Sequence, residues 1–391
     1  MNEFAVRAKE LSSETIEMRR ELHQIPELGL DLPRTTKYVM EKLKELGLEP
    51  KEICKSGVTA VIEGKKPGKT LILRADMDGL PMEELADLSF RSTEENSHTC
   101  GHDLHTAMLL TAAKMLVEKK DELCGRVKLM FQPAEEIFSG AEAMLKGGLM
   151  ENPKVDAAMD MHVMSEIPVG TITNRSGFVT ASCDGFKITV TGKACHGAQP
   201  HNGIDPIATA AHLHTALQQL IARETQPSKI AVLTIGQFVA GTTSNIIPEE
   251  AVMQGTLRCY DRDLRAYLVG RIHEMTEHIA KAFGATAKVE VFSDVPSIAV
   301  DKELLANCMG YIDEMGLDLK KDEEYLFTAS DDFARVSELV PSTFIALGAR
   351  PYEDELYYPN HNSNVIFNED CLPIGSAIFA QCAFRWLADN Q

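Results

Sequence analysis

The sequence predicts an α/β chain in which one domain is interrupted by a smaller one. Three observations carry that expectation. Short β-branched runs alternate with amphipathic stretches along most of the chain, the mark of a layered α/β architecture. Near residue 175 the pattern restarts and yields strand, helix, strand, strand, helix, strand, the βαββαβ order of a ferredoxin-like unit. The length of 391 residues also exceeds the ~250–300 at which single cores stop growing. The expected boundaries are 1–178 and 295–391 for the interrupted main domain, and 179–294 for the insertion.

The elements follow in order. Phe4, Ala8, Leu11, Met18 and Leu22 recur at helical spacing and read as one opening helix. Tyr38, Val39, Leu43 and Leu46 mark a second, stopped by Gly47. Residues 58–62 and 70–73 read as strands. A strong helix is expected over 104–117, then a strand over 126–131, a helix over 141–146 and a buried strand over 157–162. The insertion offers strands at 186–191, 230–238, 251–260 and 288–292, with helices at 204–223 and 264–283. A helix at 302–315, a strand at 342–347 and a closing helix at 372–387 would complete the main domain.

Composition narrows the function. Hydrophobic residues at 44% and charged residues at 25% suit a soluble globular protein. Subtracting 58 acidic from 39 basic residues leaves −19, which disfavours a phosphate-tracking nucleic-acid binder. No apolar run approaches the ~20 residues of a membrane span, and the charged N-terminus lacks the apolar core of a signal peptide. Nine scattered cysteines, an odd number, read as reduced thiols in a cytoplasmic protein. One Trp among 6% aromatics argues against a stacking platform for sugars or single strands.

Chemistry concentrates in a few places. His98, Cys100, His102, Asp103 and His105 crowd the start of the strong helix. Gly101 lets Cys100 and His102 reach one metal ion, and a thiol near a helix N-terminus has a lowered pKa. Asp103 is expected as the helix N-cap. The bland alternative is a capped helix with incidental histidines. Glu135 and Glu136 follow a buried strand, so one carboxylate could hold a metal while the other moves a proton. That strand edge is where ligands gather in open α/β sheets, although an isolated acidic pair is more often a solvated turn. His162 is expected to close a third strand, and His361 lies in a loop. Asp76 and Asp78 could be ligands, or could orient the ligating histidines from behind, as could His105.

These motifs resemble the M20 metallopeptidases, in the aminoacylase/amidohydrolase branch with hippurate and auxin-conjugate hydrolases. The resemblance runs through Arg19-Arg20-Glu21-Leu22-His23, Arg74-Ala-Asp-Met-Asp78, Cys100-Gly-His-Asp-Leu-His105 and Gln132-Pro-Ala-Glu-Glu136. It continues through His162, Gly192-Lys-Ala-Cys-His196, Asn245-Ile-Ile-Pro248 and Gly255-Thr-Leu-Arg258. It implies a zinc-peptidase-like catalytic domain with a mixed sheet and a satellite insertion. It implies metal ligands at Cys100, His102, Glu136, His162 and His361, with Glu135 as general base. His196 matches a histidine that reaches the partner subunit's site in dimeric relatives, and Asn245 and Arg258 match substrate-holding positions. Five ligands suit two divalent ions, Zn, Mn, Co or Ni.

The implied reaction is hydrolysis of an N-acyl amino acid or similar small amide by a homodimer paired through the satellite domain. The alternatives are a dipeptidase or carboxypeptidase with the same machinery, and a silent metal-binding or redox-sensing homologue. The chain departs from the family's usual pattern at Gly79, at 329–333 and around His361.

Overall fold

Four mutually parallel strands, Cys124–Gln132, Lys66–Asp76, Ala157–Pro168 and Ser342–Arg350, lie side by side in the middle of an eight-stranded mixed sheet. Gly57–Glu63 and Lys51–Cys54 extend it on one side, Thr171–Thr173 and Lys320–Asp322 on the other. This sheet belongs to the larger of two units in the computed structural model, which describes residues 1–351 and 357–391. The unit comprises Met1–Gly177, Ile298–Leu326 and Asp331–Gln391.

The central strands are buried on both faces, as parallel strands must be; Ile72, Leu73, Leu129, Phe131 and Ile345 have no exposed surface. The chain leaves Lys66–Asp76 through the helix His102–Glu118 and returns beside it as Cys124–Gln132. It then passes through Gly140–Lys146 and returns on the other side as Ala157–Pro168. Strand order therefore reverses about Lys66–Asp76, which opens a crevice at the carboxyl ends of these strands. The helix His102–Glu118 is buried almost all round and packs against the closing helix Cys371–Asp389. The latter is long and apolar enough to cross a membrane, yet 72% of its most apolar window is buried inside the protein, as in a core helix.

Several elements differ from expectation. The opening run is two helices, Glu3–Glu10 and Ser12–His23. Thr15 Oγ1 donates to the Leu11 carbonyl at 3.0 Å, a back-bond of the kind that bends helices. The strand expected at 70–73 spans Lys66–Asp76, because its polar end is satisfied internally: Arg74 pairs with Asp76 at 2.8 Å. His162 does not close its strand, which runs on to Pro168. The edge strands Lys51–Cys54, Thr171–Thr173 and Lys320–Asp322 are too short for periodicity to reveal.

The second unit comprises Phe178–Ser297 and Phe327–Ser330. Its antiparallel sheet has the order Ala231–Ala240, Glu250–Cys259, Cys183–Thr191, Thr286–Val295. Ala251, Met253 and Leu257 alternate along one strand and face a core shared with Leu213, Leu217, Leu268 and Ile272 of the helices Pro206–Gln219 and Arg262–Ala282. Asp205 and Asp261 cap these helices through backbone N–H groups. The short segment Phe327–Ser330 joins by backbone pairing, since Ala181 N–H donates to the Phe327 and Ala329 carbonyls. Side-chain patterning carries no trace of such a contact.

Candidate metal centre

The crevice gathers donors from five chain segments. Gly101 precedes the helix His102–Glu118 at φ +96°, and a Cβ there would fall 2.4 Å from Val163 Cγ2. Glycine is thus required between Cys100 and His102. Gly101, not Asp103, is the N-cap residue. Asp103 lies inside the first turn, past the cap position, and its Oδ2 is held by Arg19 Nε and His23 Nδ1, each at 2.8 Å.

Around this turn the expected ligands meet. Cys100 Sγ lies 3.5 Å from His162 Nε2 and 3.3 Å from His361 Nε2. Glu136 Oε1 lies 3.4 Å from His361 Nε2 and 3.8 Å from His102 Nε2. Cys100 is common to two donor triads, one with His102 and His162, the other with Glu136 and His361, in each of which all donor atoms lie within 4.8 Å of one another. The tautomers suit ligation. His102 Nδ1 donates to the Asp78 carbonyl and His162 Nδ1 to the Val163 carbonyl, each at 2.8 Å, which leaves both Nε2 atoms facing the cluster. His105 is different: Nδ1 donates to Asp76 Oδ1 at 2.6 Å and Nε2 accepts the Val163 N–H at 2.9 Å, so no lone pair remains for a metal.

The donor set fits divalent cations. His102 Nε2 and Glu136 Oε1 are buried without a hydrogen-bond partner, which is costly unless a cation meets them. Burial works to lower the pKa of His102, yet Asp76, Asp78 and Glu136 push it up to about 10, so a proton stands where a cation would. Burial and then His105 hold His162 well below the ordinary imidazole value, in the neutral form a metal needs. The lowered thiol pKa expected at Cys100 is not found. Burial, with Glu136, Glu135 and Asp76, drives it well above the usual value, and these charges outweigh the helix terminus.

Glu135 and Glu136 diverge as adjacent residues should. Glu136 turns to Cys100 and His361, whereas Glu135 stands 3.9 Å from His102 Nε2 and faces Asp331 and Asp332. The Asp78 carboxylate fixes both, accepting Glu135 N–H at 3.0 Å and Glu136 N–H at 3.2 Å. Ala134 before them and His361 adopt left-handed backbone, φ +55° and +65°, strain typical of functional positions. Burial, then Asp331 and Glu136, raise Glu135 well above the ordinary carboxylate range.

Some contributors escaped the sequence reading. Arg74, fully buried, pairs with Asp76 and Asp160 at 2.8 Å and grips Asp331 with both arms at 3.1 Å. Asn360 donates to the Cys100 and Val163 carbonyls at 3.1 Å each, which seats the neighbouring His361. Arg74 lies in a quoted motif, and the acidic pair in Ala329-Ser330-Asp331-Asp332-Phe333 was itself a signal.

The remaining expected residues lie in the second unit. His196 is exposed, and its Nδ1 accepts the Ala198 N–H at 3.0 Å, which puts the proton of the neutral ring on Nε2. Asn245 is brought beside it, because the Gly197 N–H donates to the Asn245 carbonyl at 2.8 Å and His196 pairs with Ile246. Arg258 donates to Ser330 Oγ at 2.7 Å, toward the far end of the strand that begins at Glu250.

A metal-ready cluster at the carboxyl edge of a parallel sheet, with a raised-pKa carboxyl beside it, defines a hydrolase that works through metal ions. Residues 72–385 match the model described as Peptidase family M20/M25/M40. The chain is 36% identical over 384 residues to thermostable carboxypeptidase 1 of Saccharolobus solfataricus, spanning 97% of this chain and 96% of that one. It is 37% identical over 383 residues to the N-acetyl-L-cysteine deacetylase of Bacillus subtilis, spanning 97% and 90%. The solved YXEP protein of Bacillus subtilis, a dinuclear metal-binding peptidase from the M20 family, matches with a TM-score of 0.84 and 33% identity over 97% of this chain and 99% of that one. The chain belongs to the M20/M25/M40 peptidase family, and it is a hydrolytic enzyme.

Proposed function

We propose that the protein hydrolyses the amide bond of N-acyl amino acids or closely related small amides. The observation that carries this reading is Glu135, a buried carboxyl of raised pKa beside, but outside, the Cys100–Glu136–His361 donors. A passive metal binder or redox sensor has use for Glu136 and none for Glu135. Cys100, His102, Glu136, His162 and His361 would hold two divalent ions, Zn, Mn, Co or Ni. When bound, such ions polarise a carbonyl and bring the pKa of water toward ~7.

Glu135 accepts the proton of the attacking water and delivers it to the leaving amine. His196 Nε2–H is suited to donate to the oxyanion, and Asn245 and the Arg258 fork to hold the substrate's carbonyl or carboxylate. Eight residues separate Glu250 from Arg258, about 26 Å of strand at ~3.3 Å each, and His196 and Asn245 lie near the Glu250 end. Two subunits that each supply one end satisfy that separation, which supports a homodimer paired through the second unit. Its edge strand Ala231–Ala240, with Val232, Phe238 and Val239 exposed, offers the pairing surface. Nine free thiols support a cytoplasmic setting.

The named carboxypeptidase and deacetylase relatives leave a second reading, a carboxypeptidase. Acetyl-, benzoyl- and longer acyl-amino acids assayed against free dipeptides separate the two: the proposal expects a free α-amino group to be rejected. Glu135→Gln tests the chemistry. It should leave metal content intact and lower kcat by ~10²–10⁴-fold; unchanged turnover overturns the role.

A further inference from the structure

We infer that His23 is a positioning residue, tying the Glu84 loop to the start of the ligand-bearing helix and, through that loop, setting His361. The inference rests on the metal-centre reading above. His23 ends the helix Ser12–His23 and is 3% exposed. Its Nδ1 lies 2.8 Å from Asp103 Oδ2, and its Nε2 lies 2.9 and 3.0 Å from the two oxygens of Glu84. A neutral imidazole has one N–H, so a carboxylate on each nitrogen requires the imidazolium. One ring thereby joins three segments: its own helix, the turn that carries His102, and the irregular stretch between Pro81 and Cys100.

That stretch grips the His361 segment at two points. Leu85 and Ala86 N–H groups donate to the Ser363 carbonyl at 2.7 and 3.2 Å, and the Thr99 carbonyl accepts the His361 N–H at 2.9 Å. Glu84 also accepts the Ser92 N–H at 2.7 Å, which folds the loop on itself. Phe90 of the loop lies 5.4 Å from the His23 ring and under Arg19 and Arg20, at 4.6 and 4.7 Å.

The titratable and charged groups around His23 are Arg19 on its own helix, Asp103 on the helix His102–Glu118, and Glu84 and His98 on the loop. His98 is 6.3 Å away ring to ring, and Glu369 pairs with Arg19 and Arg20. Burial and Arg19 oppose protonation of His23; Asp103 and Glu84 overcome them and raise its pKa. His361 is the ligand that most needs such support. Its side chain is 53% exposed and it leaves no strand or helix to anchor it.

The test uses the full chain, stripped with chelator and titrated with Mn²⁺ or Zn²⁺ by calorimetry, with amide exchange measured residue by residue. His23→Gln should weaken the weaker metal step about 10-fold, the lower end of the range for lost outer-shell partners. It should also speed exchange at Leu85, Ala86 and His361 while exchange in the second unit stays unchanged. Glu84→Gln, at the other end of the tie, should give the same local signature if His23→Gln fails to fold. The double variant should be no worse than the more severe single one. Unchanged metal affinity with unchanged local exchange overturns the inference, as does exchange accelerated uniformly across the larger unit. A wild-type protein that takes up no metal defeats the metal-centre reading instead, and the exchange data still decide the tie.

Discussion

The Nε2 atom of His361 lies 3.3 Å from Cys100 Sγ although 261 positions separate the two residues. Cys100 belongs to both donor triads, whereas His361 belongs to one. Cys100→Ser is therefore expected to weaken both metal-binding steps by more than the ~10–100-fold typical of outer-shell losses. His361→Ala should weaken one and spare the other. Metal content after dialysis, measured by mass spectrometry, separates these outcomes; equal effects would argue against the sharing.

Asp78 uses both carboxylate oxygens on the backbone of the adjacent glutamates, one on Glu135 N–H and one on Glu136 N–H. Asn offers a single acceptor oxygen and turns an N–H₂ toward one of those donors. Asp78→Asn should thus misplace one glutamate without removing either. We expect kcat to fall ~10-fold or more, with metal affinity reduced by a similar factor. A loss confined to KM would mean that Asp78 serves substrate binding instead.

The fold and the candidate site were legible for different reasons. The βαββαβ order was readable because the strand Glu250–Cys259 alternates cleanly and Asp205 and Asp261 mark helix starts in one dimension. Cys100, His102, Glu135 and Glu136 stood out because they are close in sequence at element ends. Arg74, Asp160, Asp331 and Asn360 did not, because their meaning lies in partners up to 260 residues away, as Asn360 and Cys100 show. Asp103 is not the N-cap for a related cause: its partners, Arg19 and His23, come from another helix and are invisible in local sequence.

Asp332 gives a pH-dependent signature for the metal-free protein. Burial, then Asp331, push it up to about 7 despite Arg74. An Asp in the unfolded chain titrates near ~3.9. Between these values the folded form binds more protons than the unfolded one, so this group's contribution makes stability fall as pH rises from about 4 to about 7. Asp332→Asn should flatten that slope, helping most at and above pH 7 and not at pH 4. Unfolding free energies of the two proteins across this range check it; parallel curves would show that Asp332 does not titrate there.

Gly101→Ala should damage both stability and metal binding, for two separable reasons. The first is backbone: at φ +96° an L-residue carries strain of ~1–2 kcal/mol. The second is collision, since the new Cβ would lie 2.4 Å from Val163 Cγ2 and 3.4 Å from the Phe367 ring. Gly148→Ala isolates the first, because Gly148 has a similar φ of +88° with nothing within 4 Å of the added carbon. Val163 cannot yield freely, because its N–H is held by His105 and its carbonyl by His162 and Asn360. The strain must then pass to Cys100 and His102 on either side of the glycine. Chemical denaturation should find Gly101→Ala less stable than Gly148→Ala by at least ~1 kcal/mol. Metal titration should find affinity lost only in Gly101→Ala. Equal stability with intact metal binding would mean that the turn between Cys100 and His102 can open without cost, and that its geometry does not set theirs.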